Sequence, residues 1–185
     1  LTYSGEFDNA VWVKADATIT ANATTAPDGA TTADKLVESV SNSAHIVSLG
    51  GVSYTAAAHT LSVFAKAGGR SNIRLVAFDG TTAFAVYFNI SAGTVGPTLG
   101  GAVGAIQSVG GGWFRCSITF TPAASVTGNI AFRLANSVPS DSYLGDGASG
   151  VYVWGAQLEV GASPTSYIPT TTAAATRAAD QPRIT

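Results

Sequence analysis

The sequence predicts an all-β protein, a two-sheet antiparallel β-sandwich of the jelly-roll type. Three observations predict it. Charged residues make up only 11% of the 185 residues while hydrophobic ones reach 46%, against about 25% charged in an average globular chain. Thr, Ser, Ala and 21 glycines replace the missing charge, and Thr and Val favour a pleated, half-buried surface where Lys and Glu favour helix exteriors. Short apolar runs of period two recur about nine or ten times with turn residues between them, the pattern of a sandwich or barrel. The length suits one domain with a sizeable core.

Taken in order, ATITANAT (17–24) alternates and leads into a loop. Residues 33–40 fit a short helix through Leu36, Val37 and Val40, but the neighbouring strands favour a strand over 35–40. HTLSVFAKA (59–67) sets Leu61, Val63 and Ala65 on one face, and Gly68-Gly69 supplies the tight turn. Asp79-Gly80 is a hairpin signal joining NIRLVAFD (72–79) to TAFAVYFNIS (82–91). There Phe84, Val86, Phe88 and Ile90 face inward, with Tyr87 and Asn89 on the other side. TVGPTLGGAVG (94–104) reads as a Gly-rich loop or irregular edge, because Pro97 has no N–H for a central strand.

A second hairpin turns about Gly110–Gly112. After it Phe114, Cys116, Ile118 and Phe120 alternate inward, and Trp113, Arg115, Ser117 and Thr119 outward. NIAFRLA (129–135) buries Ile130, Phe132 and Leu134 and turns Arg133 out. GVYVWGAQLE (150–159) points Val151 and Val153 in, leaving Tyr152 and Trp154 outside. The expected core is therefore Phe84, Phe88, Phe114, Ile118, Phe120, Phe132, Leu134, Val151 and Val153. Residues 170–185 have low complexity and no period, so a linker or extended arm follows a sandwich module over 1–169.

Most chemistry is argued against. The net charge is -2 with nine scattered Lys and Arg, so no nucleic-acid footprint is expected. No run approaches the roughly 18 apolar residues of a spanning helix, so no membrane insertion is expected. Cys116 stands alone, which rules out an internal disulfide, and its inward phase makes it a small buried apolar residue. His45 and His59 have no carboxylate or Cys at a metal spacing and read as sheet or turn residues. Asp141 and Asp146 lack the Gly and Glu positions of an EF-hand and read as turn residues. Nucleophile-elbow, phosphate-loop and dinucleotide motifs are missing. No confident strand carries two acids at alternate positions, as glycoside hydrolysis on a sandwich would need. An enzyme is not expected.

What stands out is the outward phase: Trp113, Arg115, Arg133, Tyr152 and Trp154, with Lys66, Arg74 and Tyr87 as neighbours and Tyr143 at a loop tip. A flat ring matches the axial C–H face of a sugar, and Arg, Asn, Gln and Asp bond its hydroxyls. With aromatic pairs as the guide, each such contact adds roughly 0.5–1.5 kcal/mol beyond area burial. Trp113, Arg115, Tyr152 and Trp154 share one groove if their strands share a sheet; the competing expectation is that the 92–112 loop or the terminal arm covers the rings.

Taken together, YSGEFDNAVWVK, LSVFAKAGG, GGGWFRCSITFTPAASVTGNIAFRLAN, GDGASGVYVWGAQLEVG and TSYIPTTTAAATRAAD resemble a module of bacteriophage tail and head-fibre proteins. That module is similar to the carbohydrate-binding modules of the 4/9/22 type, and WGAQLE followed by SYIPTT is its most specific part. The resemblance implies a jelly roll that binds a polysaccharide or cell-surface glycan without catalysis. It also implies a place in a virion fibre or another extracellular protein, where homo-oligomeric copies add avidity. It further implies a structural Ca²⁺ held by Glu6 and Asp8 beside Phe7. The usual acid of the last strand is replaced by Trp154-Gly155-Ala156, so Gln157, Glu159 or backbone oxygens would complete about six ligands. The alternatives are a fibre spacer that binds nothing and, further off, a polysaccharide-degrading domain.

Overall fold

Period-two runs become strands wherever turn residues bound them. In chain order these are β1 (Val13–Ala15), β2 (Ala17–Thr24), β3 (Ala33–Glu38), β4 (Asn42–Ala44), β5 (Ile46–Tyr54), β6 (His59–Gly68), β7 (Asn72–Phe78), β8 (Ala83–Asn89), β9 (Thr94–Leu99), β10 (Val103–Gly110), β11 (Trp113–Phe120), β12 (Val126–Ala135), β13 (Ser142–Leu144) and β14 (Gly150–Val160). The structure is a computed structural model and describes residues 1–175. The ambiguous 33–40 segment is a strand, β3, not a helix. Pro97 sits in β9, at the edge of its sheet and within a register shift against β8, a place where a strand tolerates proline.

One sheet runs β1-β5-β12-β7-β8-β9 and the other β10-β11-β6-β14-β3-β2, while β4 and β13 form a separate two-stranded ribbon. The jelly roll follows from the pairing of eight strands. The chain runs out through β3, β5, β6 and β7 and returns through β8, β11, β12 and β14. Each outgoing strand pairs antiparallel with its returning counterpart: β7 with β8, β6 with β11, β5 with β12 and β3 with β14. This long hairpin is wound so that its members alternate between the two sheets.

Between the sheets lie the inward phases of both. Eight of the nine expected core residues are buried, and Phe114 is half-buried against the same cluster. Burying each aliphatic or Phe side chain is worth about 1.5–3 kcal/mol. Cys116 is fully buried, which pushes its thiol up and removes it from thiolate chemistry. Two large residues escape any periodic reading. Phe7 and Trp12 lie in turns before β1 and are almost fully buried, their rings 4.9 Å apart and each 5.9 Å from Phe132.

A bulge decides the face of the last strand. The pairing of β14 with β6 shifts register between Trp154 and Gln157, with Gly155 at φ 65°. A side chain at Gly155 would be strained there, and a Cβ would lie 3.1 Å from the Phe64 ring and 3.3 Å from that of Tyr167. The extra residue leaves Trp154 facing outward while Ala156 is buried in the core.

Candidate functional site

β11 and β14 both flank β6 in the second sheet, so Trp113, Arg115, Tyr152 and Trp154 share its outer face. Cross-strand pairing arranges that face in rows. Lys35, Tyr152, Lys66 and Trp113 form one row across β3, β14, β6 and β11. Trp154, Phe64 and Arg115 form the next, followed by Gln157, Ser62 and Ser117, then Glu159, Thr60 and Thr119. The face thus grades from aromatic to hydroxyl and amide.

Much of this face is covered by the chain itself. The loop 25–32 caps one side: the Trp113 indole N–H donates to the Thr25 carbonyl at 3.1 Å, and Ala26 packs on the ring cluster. Residues 161–171 form a strap over the polar rows. Arg115 Nη1 donates to the Thr165 carbonyl at 2.6 Å, the Thr165 hydroxyl to Glu159 at 2.6 Å, and the Ile168 amide to Gln157 Oε1 at 2.9 Å. Tyr3 and Ser4 donate their amides to the Thr171 and Thr170 carbonyls at 2.7 and 3.1 Å, so docking of the strap reaches residue 171. The proposed arm over 170–185 lies beyond the described residues from 176 onward.

Between the loop, the N-terminal turn and the strap, a cleft of about 470 Å³ stays open. Trp154 and Tyr167 form its wall, ring centroids 4.7 Å apart at 63°, and Glu6, Asp28, Thr32 and Thr170 contribute to its lining. Burial pushes the Tyr167 phenol up, helped by the Asp28 and Glu6 charges and opposed by its bond with Ser4. A neighbouring cleft of about 540 Å³ runs along Gln157, Glu159 and Thr165 and carries no ring. The aromatic cleft is therefore the better candidate despite its smaller volume.

The structure separates the other expected residues. Trp113 has the outward phase, yet it is 3% exposed under the 25–32 loop and offers no platform. The hydrogen-bonded cover comes from this loop and the strap. Tyr152 is half-buried, its ring against the Gly68 backbone and Lys35 Nζ 5.8 Å from its centroid. Arg115 is spent on Ser62 and the strap and stacks over Phe64 at 5.3 Å.

Tyr143 is no loop-tip contact. It is buried, with its hydroxyl donated to Glu38 at 2.6 Å, because β13 pins it against His45 and Arg70. Burial alone would raise the Glu38 carboxyl, but bonds from Arg70, Tyr143 and the Asp146 amide hold it below its usual value. Arg133 lies on the first sheet, away from the aromatic face. His45 and His59 serve as structural donors, to the Asp16 and Ala57 carbonyls at 2.6 and 2.8 Å. Asp146 caps its own turn through the Ala148 and Ser149 amides.

Glu6, Asp8 and Glu159 do not fit a calcium ion. Among the described residues no three Asp, Glu, His or Cys side chains gather to hold a metal. Glu6 lines the aromatic cleft and Glu159 is bonded to the strap. The carbonyls of Asp8 and Asn9 accept from the Lys14 ammonium at 2.9 and 2.8 Å, so a side-chain cation already sits there. Burial lowers the Lys14 pKa, with the Asp8 and Asp34 charges opposing it. The N-terminal turn is tied down by Asp34 on β3, which accepts the Phe7 amide at 2.8 Å and the Asn22 amide at 2.9 Å. Asp34 lies beside the last strand, paired with Val153.

No family model matches the chain, and no curated protein matches it. Among solved structures it is similar to an endo-1,4-β-D-xylanase 10B of Clostridium thermocellum, in a structure of its CBM22-1 and GH10 modules complexed with xylohexaose. The match has 15% identity and a TM-score of 0.43 and covers 86% of this chain. The chain spans 26% of that protein's length.

Proposed function

We propose that the chain is a non-catalytic carbohydrate-binding module whose ligand seats in the Trp154–Tyr167 cleft. The observation that carries this reading is the pair of half-buried rings set edge to face at the wall of an open cleft with carboxylate and hydroxyl groups around it. A pyranose lays its C–H face on such a ring and donates hydroxyls to acceptors such as Glu6 and Asp28. The volume lies within the roughly 300–1,000 Å³ of small-ligand sites. One or two stacked rings with hydrogen bonds support a Kd of roughly 0.1–1 mM, or about -4 to -5.5 kcal/mol. The sequence resemblance supports a setting in a phage fibre or another extracellular protein, where copies combine by avidity against a polysaccharide or cell-surface glycan.

A glycan array on the isolated chain, followed by titration of Trp154→Ala and Tyr167→Ala, tests the proposal. Both variants are expected to weaken whichever glycan the wild type binds. Equal binding by both would remove the cleft from consideration. A wild type that binds nothing favours a spacer module, a reading supported by the chain's own cover over Phe64 and Trp113.

A further inference from the structure

The outer face of the first sheet carries a second cluster that the aromatic cleft does not use. Arg74 on β7 and Arg133 on β12 are directly opposite one another. Like charges in that position repel and need a counter-charge. It comes from Asp141, in the segment between β12 and β13, whose Oδ2 accepts from Arg74 Nη1 at 2.8 Å and Arg133 Nη1 at 3.4 Å. Two guanidiniums against one carboxylate leave one positive charge in excess.

The donors are in excess as well. Arg74 Nε and Arg133 Nε are shielded from solvent and, among the described residues, have no hydrogen-bond partner. A guanidinium fork is shaped for a bidentate carboxylate, yet Asp141 meets both forks through a single oxygen. Arg74 is fixed by stacking over Tyr87, 4.9 Å from its centroid, and the Tyr87 hydroxyl in turn donates to the Pro139 carbonyl at 2.8 Å. The Arg133 side chain is 31% exposed, so a ligand can reach it while Asp141 is still seated.

We propose that the Arg74–Arg133 pair is a seat for the carboxylate of an acidic sugar, a uronic acid residue, which displaces Asp141. In the protein alone Asp141 acts as an internal stand-in for the ligand's carboxylate. The sugar rests on the carbohydrate reading above; the anion seat does not, since it lies on the opposite sheet from Trp154. Binding exchanges one carboxylate for another, so no proton or bond is transferred. The seat discriminates by charge, where the aromatic cleft discriminates by shape.

The test titrates trigalacturonic acid, its fully methyl-esterified form and a hexaglutamate peptide against the wild type, Asp141→Asn and Arg133→Gln, each first checked by thermal melting. Asp141→Asn is expected to bind the acid at least tenfold more tightly than the wild type, with no change for the ester. Arg133→Gln, which keeps the Arg74–Asp141 pair, is expected to weaken acid binding in the wild-type background. Equal binding of acid and ester, or acid affinity unmoved by either substitution, overturns the seat. Should Asp141→Asn not fold, the Arg133→Gln comparison decides alone. Hexaglutamate bound as tightly as the trisaccharide overturns the sugar assignment. Trp154→Ala separates the two proposals, because it weakens binding at the cleft and leaves the acid–ester difference standing.

Discussion

The two outer faces of this sandwich are built from the same alternation and end differently. On the second sheet, the outward phase is aromatic and hydroxylic, and the chain returns twice to cover it, with the 25–32 loop and the 161–171 strap. On the first, Val76, Ala85 and Ala131 form a small buried patch, and the guanidiniums of Arg74 and Arg133 stand on the same outward phase, tethered by Asp141. The difference teaches that the core constrains only one phase of each strand. The other phase is free to be a second hydrophobic interface or a charged surface, and distant segments decide which.

The comparison breaks most visibly at Trp113. As a covered residue it should behave like core, so Trp113→Ala is expected to cost about 3–5 kcal/mol in urea unfolding. A platform residue would instead lose ligand with its stability intact. Trp154, half-buried at the cleft, is the sharper contrast on the same face. Trp154→Ala is expected to weaken glycan binding about tenfold, about 1.4 kcal/mol, with a smaller stability loss than Trp113→Ala in the same melting series.

Acid should loosen the first sheet's face through Asp141. Burial alone would raise that carboxyl, but the bond and charge of Arg74 and the charge of Arg133 hold it below its usual 3.8. A depressed carboxylate stabilises the fold fully above that value and loses its contribution as pH falls through the lower folded pKa. Arginine side-chain NMR signals are therefore expected to report release of Arg74 below pH 3.8, and in Asp141→Asn this transition should vanish. The smallest effect expected is none. With Lys14 in place, neither EDTA nor Ca²⁺ should shift the melting temperature, whereas a Ca²⁺-dependent rise would show an ion bound by the folded state.

Sequence alone carried the strand registers, because burial of alternate residues is written in the alternation itself. Phe84, Ile118, Phe132 and Val153 lie where period two puts them. It also carried the shared face of Trp113 and Trp154, conditional on a common sheet. It did not carry the cover over Trp113, which comes from Thr25, 88 residues away. Nor did it place Tyr143, which sits on a three-residue strand too short to show a period. Phe7 and Trp12 are core residues in turns and leave no periodic trace, though two large aromatics in an N-terminal turn segment are a signal in hindsight. Tyr167, which completes the cleft, lies in SYIPTT, a stretch with no period to assign its ring a face. Its role depends on Gly155, whose missing side chain makes room for its ring.

The joining of Tyr3 and Ser4 to Thr171 and Thr170 has a mechanical consequence. Tension applied to the two ends of the described chain meets these few bonds first and reaches the sandwich only after the strap has peeled. The sheets hang beside the line of force, like a tag stitched to a rope. A weak first rupture in single-molecule pulling, followed by a separate and larger one, is the signature that arrangement predicts. Because peeling the strap also removes Tyr167 from Trp154, load on the ends would strip the cleft of one wall before the fold itself gives way.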